Sequence, residues 1–251
     1  PDMSGLELLE IFHKDARYQN IPVIAMLREI NDEIECKCLE YGAWDFMRKP
    51  YDPTIVRFRV KNVIDCSQAR VDDELKYRAE HDVLTGIYNK SKFFFNTRNM
   101  LNIFGTENFA FIRIDIEKFQ LINSFFGMDE GDNLLKYMAH HLQEASEGFR
   151  YAAYGRIEAD IFAICFSYQD EKEITDFVKN FTNQLEKYPL EFDITPFFGI
   201  YLVQNRKLSM NEMYDKANLA SKNCKGNYIQ NYFFYTKEMS EDIIREQRVI
   251  N

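Results

Sequence analysis

Asp115-Ile116-Glu117-Lys118-Phe119-Gln120-Leu121-Ile122-Asn123, followed by Gly127, Gly131 and Asp132, is the stretch on which the fold of this chain turns. Before it, Phe109 to Ile116 alternates as a strand does, with Asp115 at its end. After it, Ile122 to Leu142 is mostly helical, with a loop expected at Gly127 to Gly131. Tyr151 to Arg156 and Phe162 to Tyr168 read as two further strands, so residues 157 to 161 are expected to form the hairpin between them. Glu173 to Tyr188 reads as a helix and Phe192 to Val203 as a strand. Ser209 to Lys225 reads as a helix closed near Gly226, and Tyr228 to Tyr235 as a last strand.

The first quarter of the chain has a different rhythm. Leu6, Leu8, Leu9, Ile11 and Phe12 follow a helical pattern, and Ile21 to Met26 is a short apolar strand. A helix is expected up to about Tyr41, a strand over Gly42 to Met47, a stop at Lys49-Pro50-Tyr51, and a helix from Pro53 to about Cys66. Strands alternating with helices imply a parallel α/β sheet. Asp65 to Glu80 is polar, without Gly or Pro, and reads as a helical connector.

Composition narrows the function classes. The 251 residues suit about one or two domains, and the net charge of −9 argues against long nucleic acid as a partner. No apolar run approaches the roughly 18 residues of a membrane span. The five cysteines are scattered with no metal-ligand spacing, as expected of reduced thiols in a cytoplasmic protein.

The motifs of the second segment resemble the GGDEF domain of diguanylate cyclases. The resemblance rests on Asp82-x-Leu84-Thr85-Gly86-x-x-Asn89, on Asp115 to Asn123 with Gly127, Gly131 and Asp132, and on the hairpin sequence Glu158-Ala159-Asp160-Ile161-Phe162. It implies a central, mostly antiparallel sheet flanked by helices over residues 81–237. It also implies a site in which two domains each hold one GTP with Mg²⁺. The metal carboxylates would be Asp115 and Asp160, guanine would be read by Asn123 and Asp132, and Lys222 would face the phosphates.

The catalytic signature itself is not intact. Glu158 and Ala159 stand where the family has two glycines, which permit φ > 0 and close approach of the nucleotide. Glu158 also adds a like charge, which at about 4 Å costs about 4 kcal/mol at an effective dielectric near 20. Ile161 replaces the acid associated with catalysis. Gln120 replaces a phosphate-binding lysine, and Gly226 stands where an arginine belongs, with Lys225 beside it. The family's product-inhibition positions are Phe149 and Ala152, with Arg150 one place out of register. The expectation is that no such inhibitory site exists.

Pro1 to Gly5 and Gly42 to Pro50 resemble the second half of a response-regulator receiver domain, in which Lys49 would be the phosphoryl-sensing lysine. Leu27 occupies that family's hydroxyl position, and the phosphoacceptor aspartate would precede Pro1. The fold class expected is therefore α/β (α+β). A partial doubly wound receiver fragment over residues 1–64 is joined by a helix, 65–80, to a GGDEF domain over 81–237. A tail helix over 238–251 resembles a linker to an EAL phosphodiesterase domain. The expected function is a cytoplasmic, homodimeric module of bacterial cyclic di-GMP signalling. It would be catalytically silent and would bind GTP or regulate a neighbour under receiver control. The alternatives are a weakly active diguanylate cyclase and a dimerisation scaffold that binds no nucleotide.

Overall fold

A computed structural model of the chain describes residues 3–15, 17–18, 21–27, 32–223 and 230–241. They fall into two compact units, Pro1–Tyr77 and Arg78–Asn251.

In the first unit, helix α1 (Gly5–Lys14) starts at a capping box. Ser4 accepts from the Glu7 amide, and Glu7 accepts from the Ser4 amide. Strands β1 (Ile24–Leu27) and β2 (Asp45–Arg48) pair in parallel across helix α2 (Asp32–Glu40), as the alternation predicts. The core is small, centred on Leu9, Cys38 and Ala43, while Leu8, Ile11, Met26 and Phe58 remain exposed. The connector is not a separate element. Helix α3 runs unbroken from Pro53 to Glu80, because nothing in its 28 residues after Pro53 breaks a helix.

The second unit is one five-stranded sheet with helices on both faces. The strands are β3 (Asn108–Ile116), β4 (Ala152–Glu158), β5 (Ile161–Tyr168), β6 (Pro196–Leu202) and β7 (Tyr232–Phe234). Their order is β4-β5-β3-β6-β7, antiparallel throughout except for the β6–β7 pair. The helices are α4 (Lys90–Ile103), α5 (Phe119–Phe126), α6 (Met128–Glu147), α7 (Glu171–Leu185) and α8 (Met210–Lys222).

The period-2 geometry of central β3 divides the core. Ala110, Ile112, Ile114 and Ile116 face the apolar stripes of α6 and α7, such as Leu134, Met138, Phe177 and Phe181. Phe109 and Phe111 face α4 and α8 through Phe93, Leu101, Met213 and Ala217. This second row then changes character, because its next two members are Arg113 and Asp115, both buried.

Three local expectations are corrected. The loop expected at Gly127–Gly131 is a single residue, Gly127 at φ +91°, and α6 has already begun at Met128. Asp129 and Glu130 favour a helix start through the positive end of the helix dipole. Gly131 lies inside that helix, where its missing Cβ makes room for Asn123 Oδ1. The hairpin shrinks from residues 157–161 to a turn of Ala159 and Asp160, since pairing continues to Glu158 opposite Ile161 after a register shift past Arg156. Phe192 to Thr195 stay outside β6, which starts at Pro196, a position where a missing N–H is tolerated. Of the tail, Lys237 to Glu241 are helical, and the rest lies outside the described residues.

Helix α8 lies on the sheet at backbone distance. A Cβ on Gly199 of β6 would meet the Ala217 carbonyl oxygen at 1.9 Å and the Ser221 amide nitrogen at 2.6 Å. These are backbone atoms, which cannot swing aside. Gly199→Ala is therefore expected to destabilise the chain by about 1–3 kcal/mol or more, read as a lowered urea midpoint.

Candidate functional site

The site is built where β3, the β4–β5 turn and the C-terminal end of α8 converge. Arg113 and Asp115, two apart on β3, point to the same face. Arg113 Nη1 lies 2.8 Å from Asp115 Oδ2 and donates to Ser221 Oγ at 2.8 Å. Ser221 Oγ in turn lies 3.4 Å from Asp115 Oδ1, and Tyr214 of α8 lies near the guanidinium. The space for this arginine comes from small neighbours. Across β3 its partners are Ala163 on β5 and Gly199 on β6, and Ala217 is buried above them. Burial works against the guanidinium charge, but Asp115 and the hydrogen bonds outweigh it and raise its pKa.

Asp160 sits in the turn beside this pair. Its carboxyl is held above the ordinary 3.8, first by burial and then by the charge of Asp115. Backbone amides of Asp160 itself and Ile116, and the charge of Arg113, pull the other way. The two carboxylates expected to hold a metal are therefore close enough to sense each other. A divalent ion, however, needs carboxylate oxygens available for coordination. Asp115 is already engaged by Arg113 and Ser221, so this donor set suits a resident guanidinium and does not fit the magnesium ion that the family's chemistry implies. Among the described residues, no group of three or more His, Cys, Asp or Glu side chains could hold a metal.

The turn itself follows the glycine expectation in shape only. Ala159 adopts φ +45°, the left-handed region that glycine enters freely and alanine at a cost of about 1–2 kcal/mol. Arg156 keeps it there. Its Nε and Nη2 donate to the Ala159 carbonyl at 2.8 and 2.6 Å, and its Nη1 donates to Asp82 Oδ1 at 2.8 Å. Asp82 also accepts from the amide and hydroxyl of Thr85, at 2.9 and 2.7 Å, and the Arg156 amide donates to the Tyr88 carbonyl. The opening motif Asp82–Asn89 thus braces the hairpin from behind. Ile161 is half-buried against the α4–α8 core, Phe162 is fully buried on the opposite face, and Glu158 is exposed.

Asn123 on α5 lies against Gly131 of α6, the residue before Asp132. A Cβ on Gly131 would lie 1.9 Å from Asn123 Oδ1, and that oxygen is buried without a hydrogen-bond partner. Lys222 and Gln120 are exposed, and Lys225 and Gly226 lie outside the described residues. In the first unit, Lys49 is exposed after β2, with its Nζ 5.7 Å from the Tyr51 ring centroid.

At the inhibition positions, Phe149 stacks on Phe166 at 3.8 Å, and Arg150 pairs with Glu107 at 3.3 Å. Both precede β4, so their placement follows from the turn and not from strand alternation.

Sequence reasoning missed the roles of Arg113, Ser221 and Arg156. A signal existed for the first: a lone arginine inside the apolar run Phe109–Ile116 must find a partner or not be buried.

The model of the family described as "Diguanylate cyclase, GGDEF domain" matches residues 79–228, more than half of the chain. The chain belongs to the GGDEF family. It is 29% identical over 150 residues to the response regulator PleD of Caulobacter vibrioides, covering 56% of this chain and 33% of PleD. It is 34% identical over 94 residues to the uncharacterized protein YhcK of Bacillus subtilis, covering 36% of this chain and 26% of YhcK. The chain thus spans a third or less of the length of these relatives.

Among solved structures, the coiled coil and GGDEF domain of DgcB from Caulobacter crescentus, in complex with c-di-GMP, superposes with TM-score 0.63 at 15% identity. That match covers 73% of this chain and 99% of that one. The S helix-GGDEF-EAL region of Vibrio cholerae LapD superposes with TM-score 0.59 at 17% identity, over 72% and 45% of the two chains. At these identities the likeness is one of fold. No helix among the described residues is long and apolar enough to cross a membrane.

The Asp82 brace makes a pH-dependent contribution to the GGDEF domain. Burial pushes this carboxyl up, but hydrogen bonds from Thr85 and Arg156 outweigh it and leave it below the ordinary 3.8. A lowered folded value means that the contribution is complete above 3.8 and fades as pH falls through the folded value. Asp82→Asn is expected to cost about 1.5 kcal/mol at pH 7, with the gap to wild type closing in thermal melts below pH 4.

Proposed function

We propose that the GGDEF domain of this chain is a catalytically silent module of cyclic di-GMP signalling. It binds GTP and passes a regulatory state to neighbouring parts of a longer protein. The observation that carries this reading is the turn at Glu158–Ile161. An isoleucine stands at the position of the catalytic acid, where it neither takes a proton nor holds a metal. Ala159 brings a Cβ to the left-handed position where the family has glycine, and Glu158 presents a carboxylate where phosphates would lie.

Family members are cyclases that generally use GTP with Mg²⁺. Two-domain cyclisation needs charge stabilisation at both α-phosphates, and Gln120 and Gly226 stand at two positions that would supply it. Recognition of the base is a separate matter. The Asn123 oxygen, buried without a donor against Gly131 and next to Asp132, supports retention of a guanine pocket, since guanine N–H groups would provide the missing donor. On this reading the protein works in the cytoplasm as a homodimer. The receiver-like unit over residues 1–64, with Lys49, supplies the input. An EAL domain following the tail is the receiver of the output.

Two measurements test the reading. With GTP and Mg²⁺ or Mn²⁺ at high protein concentration, no cyclic di-GMP is expected by chromatography, and a product peak would overturn catalytic silence. In calorimetry, GTP binding is expected, with Asn123→Ala weakening it about tenfold through loss of one hydrogen-bonding group. Absence of heat with wild type would favour a scaffold that binds no nucleotide.

A further inference from the structure

We propose that Arg113 is a resident cation that takes the place of the divalent metal at the Asp115–Asp160 carboxylates, so that this domain handles nucleotide without a metal ion there. This deepens the silent-module reading and rests on it only for the nucleotide.

Asp115 is 8% exposed and Arg113 6%, and their closest contact is 2.8 Å. A carboxylate this buried requires a positive partner, whether an ion or a side chain. The guanidinium supplies it from the same strand, two residues away, so no assembly step is needed to bring the charge in. Its position is fixed from the other side by Ser221 of α8, and α8 is fixed by backbone contact with Gly199. The cation therefore has a fixed seat with defined walls.

A second observation is independent of the pair. Arg113 Nε is buried and makes no hydrogen bond, although the side chain is only 7% exposed. One donor of the buried guanidinium is thus still unspent. A divalent ion entering here would meet a fixed positive charge bonded to one of its two expected ligands. Opposite charges are thereby satisfied before any ion arrives, and like charges oppose its entry.

Mn²⁺ titration followed by electron paramagnetic resonance, on the full 251-residue chain without nucleotide, tests this directly. Wild type is expected to show no Mn²⁺ site that Asp160→Asn removes. Arg113→Met is expected to gain one, binding at least tenfold tighter than wild type, and Arg113→Met with Asp160→Asn should lose it again. Arg113→Lys keeps the charge and should remain without the site. A wild-type Mn²⁺ site abolished by Asp160→Asn, or a folded Arg113→Met that gains nothing, would overturn the proposal. If circular dichroism shows Arg113→Met unfolded, the comparison of wild type with Asp160→Asn still decides. For the nucleotide, GTP affinity should agree within about twofold in EDTA and in Mg²⁺, and a tenfold loss in EDTA would count against the proposal. Absence of GTP binding in both buffers would count against the nucleotide reading alone, with the Mn²⁺ result still judging Arg113.

Discussion

The close approach of α8 to β6 at Gly199 is the constraint on which the site depends. Because no Cβ stands between them, the Ala217 carbonyl and the Ser221 amide rest against the sheet. Ser221 is thereby delivered to Arg113, directly across β3 from Gly199. An arginine in the middle of a buried strand is tolerated only when paired and hydrogen-bonded. Asp115 and Ser221 meet that need together. Removing one partner of such a pair leaves an uncompensated buried charge, typically at about 3–5 kcal/mol. The end of β3 and the last turns of α8 are therefore held as one piece, and Asp115 is a structural counter-ion as much as a candidate ligand.

The hairpin is supported by separate means. Arg156 spans from the Asp82 carboxylate to the Ala159 carbonyl, so the opening motif and the signature turn share one guanidinium. None of these supports requires the residues that a cyclase would use for chemistry. This separation explains how a chain can keep the backbone of a GGDEF site while Glu158, Ala159 and Ile161 occupy the signature. The strain at Ala159 is offset by two hydrogen bonds to its carbonyl, and shape persists where reactivity has no obvious source.

The two arginines act on opposite sides of the same turn. Arg156 braces it from the side of Asp82 and Tyr88, while Arg113 pairs with Asp115 from within the sheet. Asp160 sits in the turn itself, and its raised pKa reflects burial first and then the charge of Asp115. Pairing of Asp115 with Arg113 thus leaves Asp160 as the carboxyl without an ion pair among the described residues.

Most of the architecture was legible in the sequence, because helical and strand periodicities are local properties of the chain. The spacing of Asp82 to Asn89 and of Asp115 to Asp132 gave the family. The Glu158–Ile161 substitutions gave the expectation of lost signature chemistry, since residue type decides whether a side chain can bind a metal or carry a proton. The single-residue break at Gly127, the shortened hairpin and the late start of β6 were not legible. Each depends on where a glycine or proline falls relative to a partner element. The role of Arg113 was hidden for a stronger reason. Its partners are two residues away on the strand and about a hundred residues away on α8, and only close packing at Gly199 brings Ser221 within reach. The sequence by itself determined the family and the missing groups. The tertiary structure decided which charge Asp115 is paired with, because pairing is set by distance and burial, and neither is written in sequence order.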